Sequence, residues 1–370
     1  MGIKNIRELL KNCKDGIVPK NLNNYSGQKI AIDYSNTIYK FMYRTQKNGN
    51  GNTWNFLEHV IDLISCLRKN NITPIIVFDT KSPDFKLNEL EKRENRKQNN
   101  TIKMKKIITD IKTKDPDVIK SNNFNQQLKE IKDLSYDITK VKNLDKTTWI
   151  NISQVNKLST QVIKPTQLHY ACSAALFRYL GIPYIRSEYE ADDMCGYLYK
   201  KGFVNACMSE DTDLLAHGVG ILLRNVNTYN GSLIEYNLNK IINNLELKSH
   251  SEFLDVCILT GTDYYKIKGL GPMGAYRLIK NYKTIENPKL LLELKNRYKI
   301  DLIEFNYNRL RHIFNHYMNS PIYEEKVNNM PHGFELGSPR LDRLFPFLMK
   351  TCKKIMTEEE VYDILNLNSN

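Results

Sequence analysis

The stretch S-E-Y-E-A-D-D-M-C-G-Y-L at Ser187–Leu198, followed closely by N-A-C-M-S-E-D-T-D-L-L-A-H-G at Asn205–Gly218, concentrates acids in a basic chain. The helical spacing of Ala191, Met194, Cys195 and Leu198 predicts a helix whose first turn carries the first acids. The apolar run 204–208 predicts a buried strand, and the second group of acids lies just past its carboxyl end. Ligands bind at that edge in open α/β sheets. The acids are Glu188, Glu190, Asp192, Asp193, Glu210, Asp211 and Asp213.

These two acidic groups predict a metal site. Carboxylates that converge at a strand end repel one another unless a cation neutralises them. Oxygen ligands without His or Cys are those of Mg²⁺ or Mn²⁺ rather than zinc. Either group alone is equally consistent with helix capping and a solvated turn, but the two together, separated by one strand, favour a metal.

The composition limits the class of protein. The 370 residues contain 54 Lys and Arg against 41 Asp and Glu, a formal net charge of +13. This charge predicts a polyanionic partner, most commonly nucleic acid, with an acidic membrane or a merely soluble basic surface as alternatives. The seven scattered Cys form no C-x-x-C, and no apolar run has membrane length. We therefore expect a soluble intracellular protein with reduced cysteines, no disulfide framework and no zinc site.

Two earlier strands end in the same way. K-I-A-I-D-Y-S at Lys29–Ser35 carries Asp33, with Ser35 as a candidate cap for the next helix, and P-I-I-V-F-D at Pro74–Asp79 carries Asp79. An amphipathic helical pattern between them makes a strand–helix–strand unit, which is typical of a parallel sheet. A third strand before Asp211 argues against a chance arrangement and predicts that these acids share one edge.

The segment 84–164 has a different composition, rich in Lys, Asn and Gln. Such composition is typical of a solvated or disordered insert. Its position between a metal-candidate strand and the acidic helix instead favours a mobile helical cover that binds phosphates. Its basic series is Lys86, Lys92, Arg93, Arg96, Lys97, Lys103, Lys105 and Lys106.

A glycine turn between two predicted helices follows at Lys266–Tyr282. Free N–H groups at the start of the second helix can hold a phosphate, although such glycines also end helices. The pattern resembles a helix–hairpin–helix that binds duplex backbones. Residues 282–370 are predicted to be helical and Tyr-rich, and no chemistry is evident in them. The residues predicted to bind duplex DNA are Lys266, Lys268, Gly269, Gly271, Gly274 and Lys280.

Several stretches resemble, in order, the motifs of the flap endonuclease branch of the XPG-type structure-specific 5′ nucleases. They include M-G-I, I-A-I-D-Y-S-N-T-I-Y, P-I-I-V-F-D, E-A-D-D, S-E-D-T-D-L-L-A-H-G and L-T-G-T-D-Y…G-L-G-P, and they span most of residues 1–285. The resemblance implies an α/β fold: a parallel-sheet, PIN-like 5′-nuclease core with a helical arch and a helix–two-turn–helix module. The implied divisions are 1–83 and 165–260 for the nuclease core, 84–164 for the arch, 261–300 for the duplex-binding module and 301–370 for C-terminal helices.

The same resemblance assigns individual residues. Lys86 and Arg93 match the basic pair at the base of the arch and join Asp33, Asp79, Glu190 and Asp213 as catalytic residues. Tyr39 matches the residue that stacks on the base beside the cleaved bond, and Gly2 would approach the substrate. It implies two Mg²⁺ or Mn²⁺ ions and allows a K⁺ ion at the helix–two-turn–helix turn. The matched metal ligands are Asp33, Asp79, Glu190, Asp192, Asp211, Asp213 and Asp263.

Three departures from the family pattern qualify these assignments. Asp192 stands where eukaryotic relatives commonly have Glu, which leaves open which acids contact metal and keeps Asp193 a candidate. Met273 and Gly274 replace basic residues in the duplex-binding turn. The segment 340–345 lacks the Gln of a sliding-clamp motif, so clamp binding stays open.

The leading hypothesis is a divalent-metal 5′-flap endonuclease that also acts as a 5′→3′ exonuclease in replication and repair. Its expected partner is branched DNA with a 5′ flap, RNA-primed flaps included, and we expect a monomer in the nucleus or at a viral replication site. The alternatives are a family member that acts mainly as an exonuclease or junction resolvase, and an inactive junction-binding scaffold. The arch segment argues against a resolvase, and seven mutually repelling acids argue against a scaffold.

Overall fold

The computed structural model describes residues 3–47, 53–81, 86–114, 154–155, 157–330, 333–351 and 356–365. Its strands are β1 (Ile17–Asn21), β2 (Lys29–Asp33), β3 (Thr73–Phe78), β4 (Tyr184–Arg186), β5 (Ala206–Met208), β6 (Ile221–Arg224) and β7 (Ser232–Asn237). Its helices up to the second acidic group are α1 (Arg7–Leu10), α2 (Tyr34–Lys47), α3 (Phe56–Lys69), α4 (Leu87–Lys114), α5 (Gln167–Tyr179), α6 (Ala191–Lys200) and α7 (Asp213–Ala216). The later helices are α8 (Leu238–Asn244), α9 (His250–Thr260), α10 (Pro272–Tyr282), α11 (Pro288–Tyr298), α12 (Tyr307–Ile313), α13 (Pro321–Asn328), α14 (Leu341–Thr351) and α15 (Glu358–Leu365). Short 3₁₀ helices span Leu22–Tyr25, Thr53–Asn55 and His316–Asn319.

The strands form one mixed sheet in the order β1-β7-β6-β5-β2-β3-β4. The five strands from β6 to β4 are parallel, as the sequence predicts, while β7 runs antiparallel to both β6 and β1. The sequence patterns did not predict β1 and β7. In β1, Pro19 interrupts the apolar pattern, and the strand tolerates a proline because it lies at the edge of the sheet.

The core lies in two layers, one on each face of the sheet. In β2, Ala31 belongs to the cluster that contains α6 and α9, whereas Ile30 and Ile32 belong to the cluster that contains α2, α3 and α5. Successive strand residues point to opposite faces, so a strand with helices on both sides is apolar throughout. This explains why the central strands lack polar alternation.

The parallel strands deliver four predicted site residues to one edge of the sheet. Asp33 is the last residue of β2, and Asp79 follows β3 directly. Glu190 and Asp211 lie shortly after β4 and β5. The carboxyl ends of parallel strands face one crevice, so the fold itself brings these acids together.

One local prediction is wrong. Helix α2 begins at Tyr34, so Ser35 lies inside the helix and does not cap it. Instead the Asp33 carboxylate accepts a hydrogen bond from the Asn36 N–H at 3.0 Å, while the Ser35 hydroxyl accepts one from the Asp79 N–H at 3.4 Å. This difference follows from the acidic edge, where Asp33 takes the capping role.

The predicted cover is helical where the structure describes it. Helix α4 is 28 residues long, and a small apolar cluster of Met104, Ile108, Val155 and Val162 joins it to the segment before α5. The Lys164 ammonium also lies 3.1 Å from Glu94. The rest of the predicted cover, residues 84–85, 115–153 and 156, lies outside the described residues. Among the described residues, no helix has the length and apolarity to cross a membrane.

Candidate metal centre

Three carboxylates form the centre of the site. Oxygen atoms of Asp192, Asp211 and Asp213 lie within 4.8 Å of one another. Asp192 lies in the first turn of α6, Asp211 follows β5, and Asp213 begins α7. The two acidic groups of the sequence therefore meet in space, as predicted.

Asp33 and Asp79 extend this cluster along the sheet edge. Asp33 accepts a hydrogen bond from the Ser209 hydroxyl at 2.7 Å. Asp79 accepts one from the backbone N–H of Ala191 at 2.6 Å, which ties the end of β3 to the first turn of α6. Strand ends and helix start are thus held in one fixed arrangement.

Because these carboxylates are buried and close together, their negative charges are unfavourable in the absence of a cation. Burial and the neighbouring Asp79 raise the pKa of Asp33 to about 7. Burial also raises the pKa of Asp192 and Asp213 well above the usual range, with further repulsion from Asp33 and Asp211. The buried Asp213 Oδ1 has no hydrogen-bond partner among the described residues. An oxygen-only donor set with an unsatisfied buried oxygen fits a hard divalent cation.

The base of α4 lies directly on this cluster. The Lys86 ammonium is 2.7 Å from Glu190 and 3.4 Å from Asp263, and the Arg93 guanidinium is 2.6 Å from Asp263. Burial opposes the charge on Lys86, but Glu190 and Asp263 outweigh that penalty and raise its pKa. The structure thus brings Lys86, Arg93, Glu190 and Asp263 to the same centre.

Tyr39 lies beside the cluster in an open groove between α2 and α4. The Lys97 ammonium is 5.4 Å from the centroid of its ring. Arg93, Arg96 and Asn100 also line the groove. An aromatic ring flanked by cations can stack on a nucleobase while the cations contact phosphates.

The glycine turn has the predicted backbone at Gly269 and Gly271, whereas Gly274 and Lys280 make contacts within the protein. Gly269 has φ +82°, and both Gly269 and Gly271 have open space where a side chain would be. A Cβ on Gly274 would lie 2.9 Å from Leu270 Cδ1, so this glycine permits close packing. Lys266 and Lys268 are exposed, whereas Lys280 forms an ion pair with Glu246. Gly2, the remaining predicted contact, lies outside the described residues.

Two findings go beyond the sequence analysis. Ser209 is buried and bridges two acids: its hydroxyl donates to Asp33 and accepts from the Asp211 N–H at 3.0 Å. Its place directly before the E-D-T-D run was the signal that could have identified it. Tyr264, which follows Asp263, donates a hydrogen bond from its hydroxyl to Glu190 at 3.2 Å.

Asp193, which the sequence left as a candidate ligand, lies outside the cluster of three carboxylates. Its carboxylate accepts a hydrogen bond from the Tyr323 hydroxyl at 3.3 Å. Consecutive helix residues point about 100° apart, so Asp192 and Asp193 face different surroundings.

We expect Ser209→Ala to weaken Mn²⁺ binding by about tenfold, because residues that orient metal ligands typically contribute at least that factor. Asp33 would lose its hydroxyl donor, and the Asp211 N–H would lose its acceptor. Titration calorimetry on the full chain measures the affinity. Ser209→Thr keeps the hydroxyl and is expected to bind nearly normally. Equal affinity of the Ala variant and the unmodified chain would contradict the bridging role.

The chain matches two family models and known endonucleases. Residues 1–100 match the model of the XPG N-terminal domain, and residues 181–263 match that of the XPG I-region. The chain is 33% identical over 324 residues to Flap endonuclease 1 of Enterocytozoon bieneusi (strain H348), covering 85% of this chain and 77% of that protein. It is 30% identical over 345 residues to the probable RAD2-like endonuclease 369L of Invertebrate iridescent virus 6, covering 86% and 80%.

A solved structure has the same fold. The catalytic core of Rad2 in complex with DNA substrate aligns with a TM-score of 0.60 at 18% identity, over 97% of this chain and 98% of that one. The predicted PIN-like α/β architecture is confirmed by this likeness and by the parallel strands of the sheet.

Proposed function

Because the chain belongs to the flap endonuclease branch of the XPG nuclease family, we propose that it is a structure-specific, divalent-metal-dependent 5′-flap endonuclease. It hydrolyses phosphodiesters near single-strand/double-strand DNA junctions in replication and repair, and it also trims 5′ ends. The observation that carries this proposal is the contact of Lys86 and Arg93, at the base of α4, with the Glu190 and Asp263 carboxylates beside the cluster of three acids.

The carboxylates hold the metal in this proposal. Two Mg²⁺ or Mn²⁺ ions, when bound, supply an activated water near neutral pH and stabilise the charge on the attacking and leaving oxygens. The buried repulsion and the unsatisfied oxygen of Asp213 support the assignment. A K⁺ ion at the turn around Gly269 remains a prediction. The proposed ligands are Asp33, Asp79, Glu190, Asp192, Asp211, Asp213 and Asp263.

The remaining residues bind and orient the DNA. Lys86 and Arg93 hold the reacting phosphate, where fixed cations act most strongly because burial excludes water. Tyr39 stacks on the base beside the cleaved bond. The exposed Lys266 and Lys268, together with the N-terminus of α10, hold phosphates of the duplex.

The alternatives fit the site less well. A junction-binding scaffold has no use for buried carboxylates that destabilise the fold without a cation. A junction resolvase has no need of a cover, whereas α4 and the segment before α5 join beside the site through their apolar cluster. A family member that acts mainly as an exonuclease would use the same residues, and only its cleavage products distinguish it from a flap endonuclease.

Partners and location are inferred from the relatives. Branched DNA is the proposed partner, with RNA-primed flaps included, and one chain carries the whole site, which is consistent with a monomer. The nucleus or a viral replication site is the proposed location, and an iridescent-virus endonuclease is among the similar proteins. Binding to a sliding clamp has no support from residues 340–345.

The decisive test is Mg²⁺-dependent cleavage of an end-labelled double-flap DNA, with and without a bulky block on the 5′ end. We expect cleavage near the junction, and we expect the block to suppress it because the flap must pass beneath α4. Measuring the length of the labelled products separates cleavage at the junction from stepwise trimming.

A block attached to the 3′ end is the matched control and should leave the rate unchanged. Cleavage that ignores the 5′ block would favour a resolvase or another non-threading nuclease. Tight binding without cleavage in Mg²⁺ or Mn²⁺ would favour the scaffold.

A further inference from the structure

A second buried polar network lies beside the metal centre, around Asp193. Its carboxylate lies 3.7 Å from His217 Nδ1, 3.8 Å from His316 Nε2 and 3.3 Å from the Tyr323 hydroxyl. The Asp193 side chain is 6% exposed and that of His217 is 3% exposed. Of these three contacts only that of Tyr323 is a hydrogen bond, since His217 Nδ1 has no hydrogen-bond partner among the described residues. This bond and the close packing of the buried rings fix how the members of the network are placed.

The network joins distant parts of the chain. Asp193 belongs to α6, and His217 follows α7, while His316 and Tyr323 come from the segment 312–330. The Tyr317 hydroxyl donates to the His217 carbonyl at 2.6 Å, and the Lys200 ammonium donates to the Asn315 side chain at 3.2 Å. The segment therefore holds α6 near both of its ends.

A glycine in α6 makes this contact possible. A Cβ on Gly196 would lie 2.6 Å from the Tyr317 hydroxyl oxygen and 3.3 Å from His217 Cβ. Tyr317 is fully buried and packs its ring against His217 and Tyr323, with centroids 5.6 and 6.1 Å apart. The close fit leaves α6 little freedom to shift or rotate.

The position of α6 matters because its start carries metal-site acids. Glu190 is its N-cap residue, Asp192 lies in its first turn, and the Ala191 N–H orients Asp79. A small rotation of α6 would move all three groups at once. Asp193 is the next residue, so the contacts of its side chain restrain that first turn.

We propose that residues 315–323 form a brace for α6, and that Asp193 and Tyr323 are positioning residues that hold Glu190 and Asp192 in metal-binding geometry. The proposal rests on the proposed function only in taking the carboxylate cluster as the metal site. Breaking the brace therefore weakens metal binding itself, whether or not the protein cleaves flaps.

The test is the affinity of the full-length, DNA-free chain for Mn²⁺ alone, measured by titration calorimetry. Asp193→Asn keeps the shape of the side chain and removes its negative charge, and Tyr323→Phe keeps the ring and removes the donor. We expect each variant to bind Mn²⁺ about tenfold more weakly, at the lower end of the range for residues that orient ligands. Tyr323→Phe removes the hydrogen bond to Asp193, and Asp193→Asn weakens it because an amide oxygen accepts less strongly than a carboxylate. Because both changes act on the same bond, the double variant should weaken binding by less than the product of the two factors.

Asp255→Asn is the matched control. Asp255 is 1% exposed and accepts two hydrogen bonds from Arg311, at 2.7 and 2.6 Å, between α9 and α12. This change removes a buried charge from another network, so it should lower the melting temperature and leave the Mn²⁺ affinity unchanged.

Two results would overturn the proposal. One is normal Mn²⁺ affinity in both brace variants despite lower melting temperatures, which would make the network merely structural. The other is an equal loss of affinity in the Asp255 variant, which would trace the effect to general destabilisation. Normal Mn²⁺ affinity in the brace variants counts against the brace even if they lose flap cleavage, because cleavage tests the proposed function separately.

Discussion

Asp213→Asn is expected to lower the rate of Mg²⁺-dependent flap cleavage by about 10³-fold or more, equivalent to about 4 kcal/mol of transition-state stabilisation. The substitution preserves the shape of the side chain but removes a charge from the centre of the carboxylate cluster. The same change should raise the melting temperature of the metal-free protein, because burial and Asp211 both disfavour the charged form of Asp213. Single-turnover cleavage and thermal unfolding without metal measure the two effects.

Opposite effects on activity and stability distinguish a metal ligand from a structural carboxylate. Asp62→Asn, on the exposed surface of α3, is the control and should change neither quantity. Flap-DNA binding in Ca²⁺ should survive in the Asp213 variant, because the duplex contacts lie elsewhere. A variant that cleaves at the normal rate would show that the metal assignment is wrong.

The sequence predicts which edge of the sheet carries the metal-site acids, because the carboxyl ends of parallel strands lie at one edge. Asp33, Asp79 and Asp211 each lie at or just after the end of an apolar strand, and parallel strands bring such positions together whatever their separation along the chain. Helical spacing likewise placed Asp192 in a first turn, where the structure has it. These predictions need only local patterns and one rule about sheets.

The sequence could not predict contacts that depend on the packing of remote segments. The residues that contact Asp193 lie 24 to 130 positions away, and nothing in the pattern E-A-D-D separates a residue that faces the metal centre from one that faces Tyr323. The ion pair of Lys280 with Glu246 is a contact of the same kind. The Tyr-rich segment showed no chemistry because its contribution is to position groups on other elements.

Local hydrogen bonding decides which residue caps α2, which residue preferences alone left open. Serine is a preferred N-cap residue, which made Ser35 a reasonable candidate to cap α2. Here Asp33 takes that role, because the end of its strand places the carboxylate next to the free N–H of Asn36. In this way one carboxylate both starts α2 and joins the metal cluster.

Arg93→Ala is expected to slow single-turnover cleavage by about 10²- to 10³-fold, the usual loss when one fixed group that stabilises transition-state charge is removed. In the DNA-free protein its guanidinium lies 2.6 Å from Asp263 and 3.3 Å from Glu89, so it is already held at the edge of the carboxylate cluster. Removing it also takes a cation away from Asp263, so Mn²⁺ binding should be unchanged or tighter. Both Arg93→Ala and Asp213→Asn are expected to slow cleavage, but only Asp213→Asn removes a proposed metal ligand and should weaken Mn²⁺ binding.

The conservative change Arg93→Lys tests whether charge alone is sufficient. A lysine keeps the charge but cannot present the planar pair of donors that grips a phosphate, so we expect only partial recovery of the rate. Lys92→Ala is the matched control, because Lys92 is exposed on the same turn of α4 and should have little effect. If Arg93→Ala and Lys92→Ala slowed cleavage equally, Arg93 would contribute only to the general positive charge of α4. If Arg93→Ala instead weakened Mn²⁺ binding, its contact with Asp263 would serve to position a metal ligand rather than to hold the phosphate.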